Sequence, residues 1–288
     1  MTTILVTGAT GNIGRPLVTH LLDAGAEVRA VTRSASPFPP SVTPLVTAVP
    51  TAAAGMPGAD AVFLNSRALV GELAATVELA RACGVGKVVA LSAINADDDD
   101  ARQPSRVRGD RNRECEQLAM ASGVDWVSLR PSVFASNFAG MWAGQIRAAD
   151  VVSGPYARAA TAVVAETDIA AVAAVALLTD RLDGRRIPLT GPQSLTNTEL
   201  VATIGTVLGR DLRYAELPPA AVRDRFAAIG FPAAFADAYL GLLEAGLGRP
   251  ATVTGEVQRI LGRPATTFAH WVRENRSLFT EYQGAHRV

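Results

Sequence analysis

Apolar and polar positions along the first half of the chain switch repeatedly between two periods. Short aliphatic runs at Thr3–Thr7 (TILVT), Glu27–Thr32 (EVRAVT), 61–64 (AVFL), Lys87–Leu91 (KVVAL) and 125–129 (DWVSL) predict strands, the first of them buried on both faces. Between them the period lengthens to that of a helix. Leu17, Val18, Leu21 and Leu22 recur at one-turn spacing, with Gly25 placed to close that helix in the left-handed conformation, and Leu69, Leu73, Val77 and Ala80 share one face over 68–83. A third strand is expected at 44–49, in a stretch rich in Pro, Ala and Thr. Strands alternating with helices imply right-handed crossovers and a parallel sheet covered on both sides. After Pro131 the pattern changes. Residues 137–148 and 167–178 are expected as helices, 186–189 as a strand that rejoins the sheet, and Thr196 with Glu199 as a capping box opening a further helix in a mostly helical C-terminal part.

The turn between the first strand and the first helix reads TGATGNIGR. Gly8, Gly11 and Gly14, spaced by three, remove Cβ atoms where a chain must turn tightly, where a pyrophosphate must approach backbone, and where a helix must pack close to a strand. Thr10, Asn12 and Ile13 complete the turn, and the unpaired N–H groups and positive dipole end of the helix face the same point. At this place in an alternating chain the motif predicts a dinucleotide-binding site. The second strand ends in Thr32, Arg33 and Ser34 rather than in a carboxylate. A cation with hydroxyl neighbours suits a 2′-phosphate, so Arg33 points to NADP(H).

These segments resemble the NmrA-like atypical short-chain dehydrogenase/reductases, a family of NAD(P)H-binding, quinone-reductase-like proteins. The resemblance runs over nearly the whole chain through VTGATGNIGR, VRAVTRS, VVALSA, ECEQLAMASGVDWVSLRPSVFASNF, ETDIAAVAA and LTGPQSLTNTEL. It implies an α/β fold with a Rossmann-type doubly wound parallel sheet that binds NADP(H), over 1–136 with 165–190 rejoining, and a smaller, mostly helical substrate lobe made of 137–164 and 191–288. Short-chain reductases generally use a Tyr-x-x-x-Lys pair in which the tyrosine is the general acid. Matching GDRNRECEQL to that helix puts Arg108 in the tyrosine position and Asn112 in the lysine position. The single lysine, Lys87, starts a strand, and none of the four tyrosines has a lysine four residues on. The usual serine is replaced by Ala93, with Ser92 beside it. Asn112, Ser92 and Tyr156 are therefore the candidate catalytic residues. Asn65, Ser66 and Ser92 are expected to line the cofactor crevice, because open α/β sheets bind ligands at the C-terminal ends of their strands. Pro131, Ser132 and Phe134 resemble the family segment that passes under the nicotinamide. Asn137, Phe138, Met141, Trp142 and Tyr156 are expected to form the substrate pocket wall, although an aromatic and methionine cluster at this spacing also suits a core.

Composition narrows the partners. The 27 basic residues balance the 27 acidic ones, so no overall field favours nucleic acid or an anionic membrane. Two cysteines outside any C-x-x-C pair and three scattered histidines suggest neither a disulfide nor a metal. With no leader sequence and no membrane-length apolar run, a cytoplasmic monomer or homodimer acting on a small apolar or aromatic substrate is expected. Without the tyrosine, an electron-poor acceptor such as a quinone, an enone or an activated carbonyl suits the site best. A redox-sensing dinucleotide-binding regulator and a non-redox tailoring enzyme on the same fold stay open as alternatives.

Overall fold

The computed structural model describes residues 1–32, 38–46, 53–69 and 71–281. Its centre is a seven-stranded, all-parallel sheet. The strands β1 (Thr3–Thr7), β2 (Glu27–Thr32), β3 (Val42–Val46), β4 (Ala61–Asn65), β5 (Lys87–Leu91) and β6 (Asp125–Pro131) lie in the order β3-β2-β1-β4-β5-β6, and a later strand, Arg185–Leu189, continues the row beyond β6. The order reverses between β1 and β4, the switch point at which doubly wound sheets open a ligand crevice. The third strand runs from Val42 to Val46, earlier than the expected 44–49, of which residues 47–49 lie outside the described part.

The helix α1 (Gly14–Asp23) follows β1 and buries Leu17, Val18 and Leu21 against the sheet, and Gly25 closes it at φ +79°. The next helix, α2 (Leu73–Ala82), starts later than the expected 68, because a short 3-10 turn and Gly71 at φ +84° intervene. Helices α3 (Pro104–Val107), α4 (Asn112–Met120), α5 (Ala135–Ala148) and α6 (Glu166–Leu178) follow in order. α6 packs on α1 across one face of the sheet, while α2 and α4 cover the other.

A second core lies beyond the sheet. Strands β7 (Val151–Gly154) and β8 (Ala160–Thr161) precede β9 (Arg185–Leu189), the seventh strand of the sheet, and β10 (Leu195–Thr196) pairs antiparallel with β8. The capping box at Thr196 and Glu199 is present and opens α7 (Asn197–Leu208). β11 (Arg213–Glu216) pairs with β7, and five helices complete the described chain: α8 (Pro219–Ala228), α9 (Ala233–Glu244), α10 (Glu256–Leu261), α11 (Phe268–Glu274) and α12 (Ser277–Thr280). Phe138, Trp142, Leu200, Ile204, Phe268, Trp271 and Phe279 fill this core. Among the described residues no helix is long and apolar enough to cross a membrane.

Candidate active site

Gly8 adopts φ +70°, a backbone region that side chains with a Cβ rarely enter. The turn is then tied by the Gly11 N–H donating to the Gly8 carbonyl at 2.9 Å and the Arg15 N–H to the Gly11 carbonyl at 3.1 Å. Among the described residues the N–H groups of Asn12 and Ile13 meet no acceptor. A Cβ on Gly14 would stand 2.1 Å from the Gly8 carbonyl oxygen, so this position admits only glycine; one on Gly11 would stand 3.2 Å from the same oxygen. A bare backbone cradle with free donors at a helix start fits a dinucleotide pyrophosphate. Thr10 faces Thr32 at the end of β2, with their hydroxyls 3.4 Å apart. Arg33, the residue expected to read the 2′-phosphate, lies outside the described residues.

Three more strand ends meet here. The Thr7 hydroxyl accepts the Asn65 N–H and donates to the Phe63 carbonyl, both at 2.8 Å, which fixes the end of β4 against β1. The Asn65 side chain caps the following turn by accepting the Arg67 N–H. Ser66 is buried, and its hydroxyl accepts the Arg111 N–H at 3.0 Å, so its polar group holds the loop before α4 instead of reaching into the crevice. Past the end of β5, the buried Ser92 hydroxyl donates to the Asn112 carbonyl at 3.2 Å. The Asn112 side chain, at the first residue of α4, reaches the Ser105 hydroxyl at 3.4 Å. Ser92 and Asn112 are thus brought together, through a backbone carbonyl rather than through the amide side chain.

The segment after β6 is zipped to the one before α6. The Ser132 N–H donates to the Leu189 carbonyl and its hydroxyl to the Ala162 carbonyl; Phe134 bridges Val164, and the Ala135 N–H donates to the Val164 carbonyl at 3.0 Å. The Ile94 N–H donates to the Pro131 carbonyl. Pro131, Ser132 and Phe134 therefore run past the end of β5 as a pinned strip.

The expected pocket wall is corrected in part. Phe138 and Trp142 are 3% exposed each and meet at a tilt in the second core, 4.9 Å apart at their ring centroids, with Met141 packed against this core and Asn137 exposed. Burying two large rings outweighs lining a cleft with them. Tyr156 sits at φ +49° in the tight turn between β7 and β8. Its carbonyl accepts from Asn197, and its hydroxyl pKa is raised first by desolvation and then by the charges of Glu244 and Glu216, against Arg223. These partners belong to the C-terminal lobe, and neither Ser92 nor Asn112 is among them. Lys87, at the opposite end of β5 from Ser92, is committed to Asp183 at 2.7 Å and the Thr179 carbonyl at 2.6 Å.

Two groups absent from the sequence expectations stand out. Asp110, partly buried and 3.8 Å from Arg67, has its carboxyl pushed upward by desolvation against the opposing pull of Arg67, Arg108 and Arg111. Glu166, 5% exposed, accepts the Ser136 N–H at 2.9 Å and the Trp271 indole N–H at 3.1 Å, while the Ser136 hydroxyl accepts from the Asn12 side chain at 3.0 Å. This chain of bonds runs from the glycine turn to the C-terminal lobe. A carboxylate inside an apolar helix stretch, in ETDIAAVAA, was the available signal for it.

The chain matches the NAD(P)H-binding family over residues 8–180. A (4-alkanoyl-5-oxo-2,5-dihydrofuran-3-yl)methyl phosphate reductase of Streptomyces griseus subsp. griseus is 36% identical over 96% of this chain and 99% of its own. An NAD(P)H azoreductase of Xenophilus azovorans is 29% identical over the same shares. Among solved structures, an NADPH-dependent quinone oxidoreductase of Escherichia coli complexed with NADPH superimposes with a TM-score of 0.77 at 22% identity, covering 95% of this chain and 99% of that one. A Citrobacter sp. triphenylmethane reductase complexed with NADP(H) gives 0.76 at 18% identity over the same shares. These two likenesses establish the fold. With its glycine cradle at the switch point and reductases among its relatives, this chain belongs to the NAD(P)H-binding family and is an NAD(P)H-dependent oxidoreductase.

Proposed function

We propose that the protein uses NADPH to reduce a small, electron-poor acceptor, a quinone, an enone or an activated carbonyl. The observation that supports this best is the composition of the crevice beyond β5. Where a short-chain reductase holds its tyrosine and lysine, this chain holds Arg108 and Asn112, and the neighbouring Ser92 hydroxyl is spent on the Asn112 carbonyl. No strong proton donor for an alkoxide is assembled there, so the acceptor must tolerate hydride addition without one. Bound NADPH would supply the hydride.

The residues divide this work. Gly8, Thr10, Gly11, Asn12, Ile13 and Gly14 cradle the pyrophosphate, and Arg33 holds the 2′-phosphate. Asn65, Ser92, Pro131, Ser132 and Phe134 shape the crevice, with Ser66 positioning its loop, and the lobe of 137–164 and 191–288 covers the acceptor and excludes water. The related reductases fit this reading: one is named for a ring alkene conjugated with two carbonyl groups and the other for an azo bond, both poor in electrons.

An NADPH-consumption assay across quinones, enones and azo compounds, paired with NADP⁺ reduction by simple secondary alcohols, tests the proposal. Turnover of the first set with no alcohol oxidation is expected. Efficient alcohol oxidation would overturn it, and tight NADPH binding with no acceptor reduced would favour a dinucleotide-binding regulator.

A further inference from the structure

About half of the described arginines are paired with a carboxylate. Ahead of α4, Arg106 pairs with Asp100 and Glu114, and in the first turn of α4 Arg113 pairs with Asp100. Arg108 differs. Among the described residues no carboxylate lies within ion-pair distance of its guanidinium, which instead lies over the Phe231 ring, 5.9 Å from the centroid. The carboxylate nearest in sequence, Asp110, is engaged by Arg67 at 3.8 Å. A ring covers part of the Arg108 cation and a second arginine repels it. Desolvation first, and Arg67 second, lower its pKa, with the Asp110 charge only partly opposing them, a balance that an incoming anion would improve.

Its position gives that charge a use. The loop carrying Arg108 is pinned at the ends of β4 and β5, by the Arg111 N–H on Ser66 and by the Ser92 hydroxyl on Asn112, and the Arg67 charge that acts on Arg108 comes from the turn directly after β4. On its other side, Phe231 joins Phe226 and Phe235 in an aromatic cluster held between α8 and α9, with ring centroids 4.4 to 5.6 Å apart. α9 in turn packs on α3. The cation therefore stands at the seam between the crevice and an apolar wall.

We propose that Arg108, assisted by Arg67, is an anion-recognition site that selects acceptors carrying a phosphate or carboxylate beside an apolar, electron-poor ring. The inference rests on the reductase reading above. A planar guanidinium seated on a ring can engage two oxygens of such a group at once, and the aromatic wall takes the uncharged remainder. The step itself is binding, with no bond made or broken at Arg108.

The test compares a hydroxypropyl naphthoquinone with its phosphate monoester, which share one acceptor ring. Calorimetric titration into the NADP⁺-saturated full-length protein should show the ester binding about tenfold more tightly than the alcohol, and the same ratio should appear in KM. In Arg108→Gln the ratio should collapse towards one, and Arg108→Lys should restore part of it. Equal binding of ester and alcohol by the unaltered protein would overturn the assignment, as would an equal loss for both in Arg108→Gln. Weakened NADP⁺ binding in Arg108→Gln with the ratio intact would hand the arginine to the dinucleotide instead. If the ester is preferred in binding but neither compound is reduced, the reductase reading fails and the anion site stands.

Discussion

Gly11 and Gly14 have different jobs although they sit three residues apart in one motif. The Gly14 Cβ position is blocked by backbone, 2.1 Å from the Gly8 carbonyl oxygen, whereas the 3.2 Å at Gly11 is tight but open on the ligand side. Gly14→Ala should therefore cost about 1–3 kcal/mol of stability, because the first turn of α1 must move. Gly11→Val should keep its melting temperature while dinucleotide affinity falls by at least about tenfold, since a branched side chain enters the space that a pyrophosphate needs. Thermal melts and NADPH titrations of both variants check the contrast; a folded Gly11→Val that binds normally would reduce the motif to a turn. On the proposed function, Arg33, which follows β2 in the sequence, gives a preference for NADPH over NADH that Arg33→Asp should abolish or reverse, through loss of charge-assisted bonds and added repulsion. Equal affinities for the two cofactors before mutation would remove that argument. The glycines were legible in the sequence because everything they do happens within seven residues. Phe138 and Trp142 were not, since a ring at helical spacing looks the same facing a cleft or a core, and only the packing of Phe268 against them decides.

Glu116 shows how one buried carboxylate ties elements together. It accepts from Arg130 on β6 at 2.8 and 2.5 Å and pairs with Arg186 on β9 at 2.8 Å, so α4, the last two strands of the sheet and, through Arg130, Asp97 share one network. Burial pulls the Glu116 carboxyl upward, but the bonds from Arg130 and Ser128 outweigh it and hold the group below its ordinary value. A depressed carboxyl stabilises the fold fully above the pKa of the unfolded chain, about 4.3, and the contribution fades as pH falls through the folded value. Glu116→Gln should cost about 3 kcal/mol at pH 7, because two guanidinium groups lose their shared partner. The deficit should shrink on acidification, and melts of both proteins from neutral pH to about pH 3.5 measure it; a deficit independent of pH would make Glu116 a packing group only. The sequence shows the helix but not this network, because Glu116 reads as an ordinary polar position until β6 and β9 are side by side. The start of α2 was misplaced for a different reason: Leu69 keeps the apolar spacing and is fully buried, yet Gly71 breaks the helix after it.

At the scale of the whole molecule, the sheet and the C-terminal lobe are joined by bonds that no local pattern encodes. The Arg111 N–H meets Ser66 across 45 residues, and the Trp271 indole meets Glu166 across 105. The first tether holds the loop before α4 against the end of β4, and the second joins α6 to α11. On the proposed function, the pH profile of the reaction depends on whether any of the candidate groups supplies a proton. Asn112 does not titrate and Ser92 is no acid near neutrality, while the Tyr156 hydroxyl, its pKa raised from the ordinary value near about 10, stays protonated throughout the working range. Asp110 is the one carboxyl among them moved upward, by desolvation, and three arginines restrain it. Hydride addition to a quinone needs no strong proton donor from the protein, so its rate should be flat between about pH 6 and 8. The sign of any departure is informative: a rate that falls as pH rises through this window would identify a group that must be protonated, and its disappearance in Asp110→Asn would make that carboxyl the proton donor. Steady-state NADPH oxidation with a quinone at saturating cofactor, measured every half unit for the unaltered protein, Asp110→Asn and Tyr156→Phe, decides between the two. A flat profile in all three, with Tyr156→Phe retaining nearly full activity, is the expected result, because Tyr156 is held in the turn between β7 and β8 by the Asn197 amide and not beside Ser92.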